Sequence, residues 1–261
     1  MASSIAHHPP SIGTQFCPTY RSDTYPFIDP KKANLKGKNV FITGSSKGIG
    51  RALALCYARA GASGIAIAAR SSLSTLETEI ASAAKDAGHE APNVVSYQMD
   101  VVDRDAIERT AKQIDKAFSG RLDILINNAG YLETFIPIIE SDPDEWWKTW
   151  TVNMRGPYLM TRAMLPIMLK GGDKQIVNLS SIGAHIKQPG ASGYQTSKFA
   201  LCRFTEFIMA EYGEQGVVAF AVHPGGVMTE LASNMPKNLH GGKYCDASIL
   251  YTSVDHIYST G

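Results

Sequence analysis

The sequence predicts an α/β fold: a single domain built on a doubly wound parallel sheet. Three observations lead there. Short apolar runs at 38–43, 64–69, 94–99, 122–126, 175–179 and 217–222 alternate with amphipathic stretches near 49–60, 73–87, 104–118, 143–169 and 194–213. Such alternation makes a parallel sheet with helices on both faces. A glycine-rich segment, Thr43-Gly-Ser-Ser-Lys-Gly-Ile-Gly50, joins the first apolar run to the first helical one. With right-handed crossovers, a ligand crevice then forms at the C-terminal edges of the strands. Lastly, the 261 residues are 44% apolar and 19% charged, the balance of a globular chain long enough to bury a large core.

Taken in order, residues 1–35 carry Pro9, Pro10, Pro18, Pro26 and Pro30 with little periodicity and read as an N-terminal extension, an arm laid on the surface or on a partner subunit. Lys31, Lys32, Lys36 and Lys38 read as a solvated linker. Val40-Phe-Ile42 is the first strand, and Arg51–Ala60 continues the first helix. The glycine spacing between them is not G-x-G-x-x-G, and a turn without a ligand is its alternative reading. Asp142-Pro143-Asp144-Glu145 supplies an N-cap, a proline at the first helical position and a carboxylate at the third, opening a long helix that carries Asn153. Trp146, Trp147 and Trp150 on that helix read as core or subunit interface. Ser192-Gly-Tyr-Gln195 reads as a capping box opening another helix. After Gly225 only 36 residues remain, in which Ser248–Ile257 is apolar enough for a short helix or strand.

Several classes are excluded. A net charge of +1 makes no electrostatic case for nucleic acid. Cys17, Cys56, Cys202 and Cys245 lie far apart and form no metal-ligand spacing, which fits a reducing compartment and no metal. No basic segment followed by an apolar run opens the chain, and no apolar run reaches membrane-spanning length, so the expectation is cytoplasmic with no membrane partner.

The chemistry centres on Tyr194 and Lys198, with Ser181 thirteen residues before the tyrosine. The pair is spaced i, i+4, so on a helix both lie on one face. A phenol is a poor acid near neutrality, and a cation beside it or a helix N-terminus favours the phenolate. Alone, such a pair is more often an ordinary amphipathic face.

Together these residues resemble the short-chain dehydrogenase/reductase family. The likeness runs from about residue 36 to 230, through Thr43-Gly-x-x-x-Gly-Ile-Gly50, Asp100-Val101, Asn127-Asn-Ala-Gly130, Asn153, Ser181, Tyr194-x-x-x-Lys198 and Pro224-Gly225. It implies a Rossmann-like fold with residues 36–230 as the NADP-binding catalytic domain and 231–261 as a shortened or altered lid and tail, the C-terminal strand missing or changed. The implied catalytic set is Asn153, Ser181, Tyr194 and Lys198. Tyr194 would pass a proton to or from the substrate oxygen, and Ser181 would hold that oxygen. Lys198 would lower the tyrosine pKa and bind the nicotinamide ribose, and Asn153 would hold a relay water. Ser180, the neighbour of Ser181, would point the other way and bond local backbone.

The cofactor residues that the resemblance implies are Gly44, Ser46, Lys47, Gly48, Ile49, Gly50, Arg70, Asp100, Val101, Asn128, Ala129, Gly130, Tyr194, Lys198, Pro224, Gly225, Val227 and Thr229. Asn127–Gly130 has a purely structural alternative, holding the sheet together. NAD-specific folds place a carboxylate at the end of the second strand. Here Ala69 and Arg70 stand there, and with Lys47 they favour a 2′-phosphate, hence NADP(H). The substrate pocket is drawn from Tyr131, Glu133, Phe135, Ile182, His185, Gln188, Met228, Leu231 and Met235, a mainly apolar set suited to a medium-sized organic carbonyl or alcohol. The leading expectation is therefore an NADPH-dependent carbonyl reductase, or the reverse alcohol dehydrogenase. The alternatives are an NADP-binding protein with weak or no redox activity, a scaffold or non-redox catalyst, and an NAD-dependent alcohol dehydrogenase. The helices near 143–169 and 194–213 carry Met160, Met164, Leu165, Phe204, Phe207 and Ile208, more than one sheet face must cover, so the chain is expected to form a homodimer.

Overall fold

The structure, a computed structural model, describes residues 25–236. Among the described residues, six parallel strands form one sheet: β1 (Asn39–Thr43), β2 (Gly64–Ala69), β3 (Asn93–Gln98), β4 (Ile124–Asn127), β5 (Gln175–Leu179) and β6 (Val218–Val222), in the order β3-β2-β1-β4-β5-β6. The register is in step, with Val40 opposite Ile65 on one side and Ile124 on the other. From β1 the chain builds outward to β3, then returns to lay β4 against the other side of β1. That reversal is the topological switch point, where the C-terminal strand ends open a crevice.

The strands read as unbroken apolar runs because both faces are covered. Every residue of β2, β4 and β5 is buried, while the edge strands β3 and β6 are only partly so. Alternate side chains feed two cores. Val40, Ile42, Ile65 and Ile67 pack under α1 (Gly48–Arg59) and α2 (Ser74–Asp86). Phe41, Leu125 and Ile176 pack with α3 (Arg104–Ala117), α5 (Gly156–Met168) and α6 (Ser192–Tyr212).

The predicted long helix over 143–169 is divided. α4 (Pro143–Trp150) begins as expected, with Pro143 in its first turn and Asp142 accepting from Asp144 N. It passes into a π-helical turn, Thr151–Arg155, before α5. Such widened turns are often found at functional sites, and this one carries Asn153. Residues 25–35 are an arm laid on the domain: Ile28 is buried and Leu35 N donates to Ala60 O at 2.9 Å. Lys38 is not simply solvated, since its ammonium pairs with Asp173 at 2.5 Å. Residues 1–24 of the N-terminal extension, with Cys17, lie outside the described residues. So do 237–261, with Cys245 and the altered C-terminal ending. The last described helix is the single turn α7 (Glu230–Ser233).

Candidate active site

Most of the predicted site residues follow the C-terminal ends of strands, while Asn153 lies in the π-helical turn and Tyr194 and Lys198 lie in α6. The glycine turn follows β1, Arg70 follows β2, Asp100 and Val101 follow β3, Asn128–Gly130 follow β4, Ser181 follows β5 and Pro224–Thr229 follow β6. The arrangement follows from the parallel topology, which sends every strand's end to one crevice.

At its centre the Ser181 hydroxyl stands by the Tyr194 phenol, near enough to favour the phenolate. Ser181 Oγ also accepts from Gly183 N at 3.0 Å, which fixes its rotamer. Ser180 Oγ does not bond local backbone as expected: it donates to the Lys198 carbonyl on α6, 18 residues away, at 3.1 Å. Lys198 is 4% exposed. Its Nζ lies 5.7 Å from the centroid of the Tyr194 ring and donates to Leu179 O at 2.6 Å. Burial pushes the Lys198 ammonium down to about 8, opposed by Cys202. The Tyr194 phenol goes the other way from the sequence expectation. Burial raises its pKa, the Ser181 hydroxyl lowers it, and the charge of Glu133 raises it further. Desolvation dominates the shift, and the Lys198 ammonium is engaged by Leu179 O.

Asn153 is fully buried and does not reach Lys198 through its side chain. Its Oδ1 accepts from Tyr131 N at 2.8 Å, while Nδ2 donates to Tyr131 O at 2.8 Å and Ser197 Oγ at 3.2 Å. The amide thus spends both hydrogens on clamping the segment after β4 to α6. Asn128 is similar: its amide donates to Thr43 O at 2.8 Å and Gly44 O at 3.1 Å, locking the glycine turn to β4. Beneath it, Asn127 Nδ2 donates to Asn178 Oδ1 at 2.8 Å, and Asn178 Nδ2 to Thr205 Oγ1 at 2.9 Å, a buried polar chain across two strands into α6. The structural role foreseen for Asn127–Gly130 is therefore visible.

The expected capping box is not formed. Ser192 lies inside α6, Ala191 is its N-cap, and no side chain of the local segment caps it. Ser192 Oγ instead accepts from Trp146 Nε1 at 3.1 Å, and Gln195 Oε1 accepts from Gln188 N at 2.8 Å. The cap comes from Glu133, expected in the substrate pocket but only 7% exposed: Oε1 accepts Tyr194 N at 2.8 Å and Oε2 accepts from Thr149 Oγ1 at 2.7 Å. No local pattern signals this contact, which spans 61 residues. Farther out, the Tyr131 hydroxyl donates to Glu145 at 2.5 Å and accepts from Lys148 at 3.1 Å.

The glycine turn fits a nucleotide pyrophosphate at the start of α1. α1 has no side-chain cap, so its first N–H groups are free of such a partner and its dipole favours an anion. Gly44 has φ +68°, and a Cβ there would come within 2.8 Å of Ala129 Cα. A Cβ on Gly50 would meet Gly44 O at 2.4 Å. These two glycines let the turn fold against itself and β4. Over Gly48 lies the Thr229 methyl, and Thr229 Oγ1 caps α7 by accepting from Ala232 N at 3.1 Å. Lys47 forms an ion pair with Glu230, while the exposed Arg70 lends its carbonyl to Gln98 Nε2 at 2.9 Å. Among the described residues no cluster of His, Cys, Asp or Glu could hold a metal, and no helix is long and apolar enough to cross a membrane.

The comparisons agree with this geometry. A family model described as short chain dehydrogenase matches residues 38–240. Over 230 residues the chain is 54% identical to the short chain dehydrogenase mpl6 of Monascus purpureus, covering 88% of this chain and 78% of that protein. Among solved structures it is similar to a metagenomic short-chain oxidoreductase in complex with NADP, at TM-score 0.71 and 28% identity, covering 87% of this chain and 93% of the other. It is also similar to an alcohol dehydrogenase from the archaeon Thermococcus sibiricus complexed with 5-hydroxy-NADP, at TM-score 0.73 and 26% identity, covering 86% and 91%.

Proposed function

The chain belongs to the short-chain dehydrogenase family of oxidoreductases, and from that premise we propose that it is an NADP(H)-dependent enzyme interconverting a carbonyl and a secondary alcohol on a medium-sized, largely apolar substrate. The observation that carries this reading is the Ser181 hydroxyl beside the Tyr194 phenol, with the buried Lys198 ammonium against the phenol ring. Residues 36–230 would form the catalytic domain. The free start of α1, Arg70 and Lys47 would hold the nucleotide, with Asp100, Val101, Pro224, Gly225 and Val227 along the same edge. When bound, the nicotinamide supplies or accepts the hydride. Ser181 donates a hydrogen bond to the substrate oxygen and aligns it with the phenol. Tyr194 gives its proton to that oxygen in reduction and takes it back in oxidation. Its raised pKa keeps it protonated near neutrality, the form reduction needs. Lys198 holds a positive charge by the ring that stabilises the phenolate left behind.

NADP(H) rather than NAD(H) is supported by Ala69 and Arg70 at the end of β2, where a ribose-binding carboxylate would otherwise stand. Both solved structures cited above hold NADP or a derivative. A cytoplasmic location belongs to the same proposal, resting on the wide spacing of the four cysteines in the sequence. The test is a panel of ketones, quinones and alcohols assayed with NADP(H) and NAD(H). Turnover on one of them with at least tenfold preference for the phosphorylated cofactor is expected. Cofactor binding without turnover across the panel would contradict the reading.

A further inference from the structure

We propose that Glu133 is the positioning residue of the proton-transfer centre: its buried carboxylate holds the first turn of α6 against α4 and so sets where the Tyr194 hydroxyl stands and in which protonation state it rests. The inference rests on the reading of Tyr194 as the proton donor. Neither α1 nor α6 has a side-chain cap from its own N-cap residue. The start of α1 is left for a ligand. The start of α6 is closed from 61 residues away, by Glu133 Oε1 on Tyr194 N at 2.8 Å. The second oxygen is held at 2.7 Å by the Thr149 hydroxyl, which donates to it from α4. Thr149 is itself fully buried, so the strut is a rigid one.

The packing is shaped to admit it. A Cβ on Gly193 would lie 2.9 Å from Glu133 Oε1 and 3.1 Å from Trp146 Cδ1, so a residue without a side chain stands where the carboxylate passes. Glu133 also follows Tyr131 by two residues, and Tyr131 is clamped by Asn153 on both its N–H and its carbonyl. One continuous set of hydrogen bonds therefore joins the end of β4, the π-helical turn, α4 and the catalytic helix.

The charges around the phenol are few. Ser181 reaches it from the end of β5, Lys198 lies against its ring from the next turn of α6, and Glu133 approaches its backbone; Cys202 lies beyond Lys198. On α4, Asp144 is exposed at the first turn, while Glu145 and Lys148 are paired with each other and with Tyr131. Glu133 is thus the negative charge that favours the protonated phenol, and its removal should let Tyr194 ionise at lower pH.

The test uses the full chain with ¹³C-labelled tyrosine, the Tyr194 resonance being identified by its loss in Tyr194→Phe. In Glu133→Gln, which keeps the shape and one acceptor but not the charge, the Tyr194 titration moves to lower pH, and the acid limb of alcohol oxidation moves with it. Glu133→Asp keeps the charge but withdraws the acceptor. There the titration stays near wild type while kcat falls by about tenfold to 10²-fold, the effect of a misplaced reacting group, with the dissociation constant for NADPH unchanged. A Glu133→Gln titration that superposes on wild type, or a Glu133→Asp enzyme with wild-type kcat, overturns the proposal. If Glu133→Gln fails to fold, Glu133→Asp decides alone; if both fail, Glu133 is a folding residue and the proposal falls. The titration needs no turnover, so a wild-type chain that reduces no carbonyl refutes the reaction proposed above and leaves this test standing.

Discussion

At the scale of single residues, the protonation states at the crevice carry the chemistry. The neutral phenol and the ammonium coexist below the Lys198 value of about 8. Reduction is therefore expected to be flat below that pH and to fall above it, as Lys198 loses its charge before Tyr194 loses its proton. A pH–rate profile with NADPH in excess measures this; a rate that keeps rising past pH 9 would be the wrong shape. The same burial leaves a mark on stability. Lys198 is depressed from its ordinary 10.5 to about 8, so the unfolded chain binds more protons than the folded one between those values. The cost is fully present below about pH 8 and is relieved as pH rises to 10.5, on the order of 3 kcal/mol in all. Wild type should thus gain stability against Lys198→Met across that window, read by urea unfolding at fixed temperature. Cofactor choice is also decided by single side chains. Arg70→Ala should weaken NADPH by about ten- to a hundredfold, the cost of one charge-assisted contact, and spare NADH. Lys47 is half-engaged already by Glu230, an exposed pair that contributes little, so its loss should matter less. Calorimetric titration of the two cofactors separates these outcomes, and equal losses for both would refute the phosphate assignment.

At the scale of elements, Gly193→Ala sets two effects against each other. Alanine favours a helix by about 1 kcal/mol over glycine. The new Cβ, however, would sit 2.9 Å from Glu133 Oε1, and overpacking of this kind costs about 1–3 kcal/mol. The clash should win, because the carboxylate is pinned by Thr149 and cannot retreat freely. A lower thermal midpoint with reduced turnover is expected; a stabilised, fully active variant would show that the strut is loose. This region also shows where sequence stops being legible. The strands were readable because burial on both faces leaves an unbroken apolar run, as in Ile65–Ala69 and Ile124–Ile126. The start of α4 was readable because Asp142 and Pro143 act on their own neighbours. The start of α6 was misread because Ser192 and Gln195 spend their side chains on Trp146 and Gln188 while a distant glutamate does the capping. The π-helical turn at Thr151–Arg155 runs into Gly156-Pro157, whose proline has no N–H for the Asn153 carbonyl, and the Asn153 side chain is held by Tyr131 and Ser197. Ser181, Tyr194 and Lys198 were visible as a motif, but not the direction in which burial would move the phenol.

At the scale of the whole molecule, the apolar surplus on α5 and α6 is smaller than composition implied. Met160, Met164, Leu165 and Ile208 are buried in the chain's own core. What remains outward is an aromatic face: Tyr158 is 45% and Phe207 56% exposed, with Phe204 packed edge-on to Tyr158 at 6.1 Å. The proposed homodimer would bury that face around a two-fold axis. Light scattering should give a dimer that Phe207→Glu converts to monomer, and a wild-type monomer would remove the proposal. The central claim concerns the crevice rather than the assembly, and one comparison tests it most directly: kcat and NADPH affinity of Tyr194→Phe beside wild type, on whichever carbonyl the wild-type chain reduces. Removing one oxygen leaves the ring, the helix and the Lys198 contact in place. The expected result is nearly unchanged NADPH binding with turnover lower by about 10²–10⁴-fold, the loss of a positioned acid. Turnover within a few-fold of wild type, with binding intact, would contradict it and place the proton donor elsewhere.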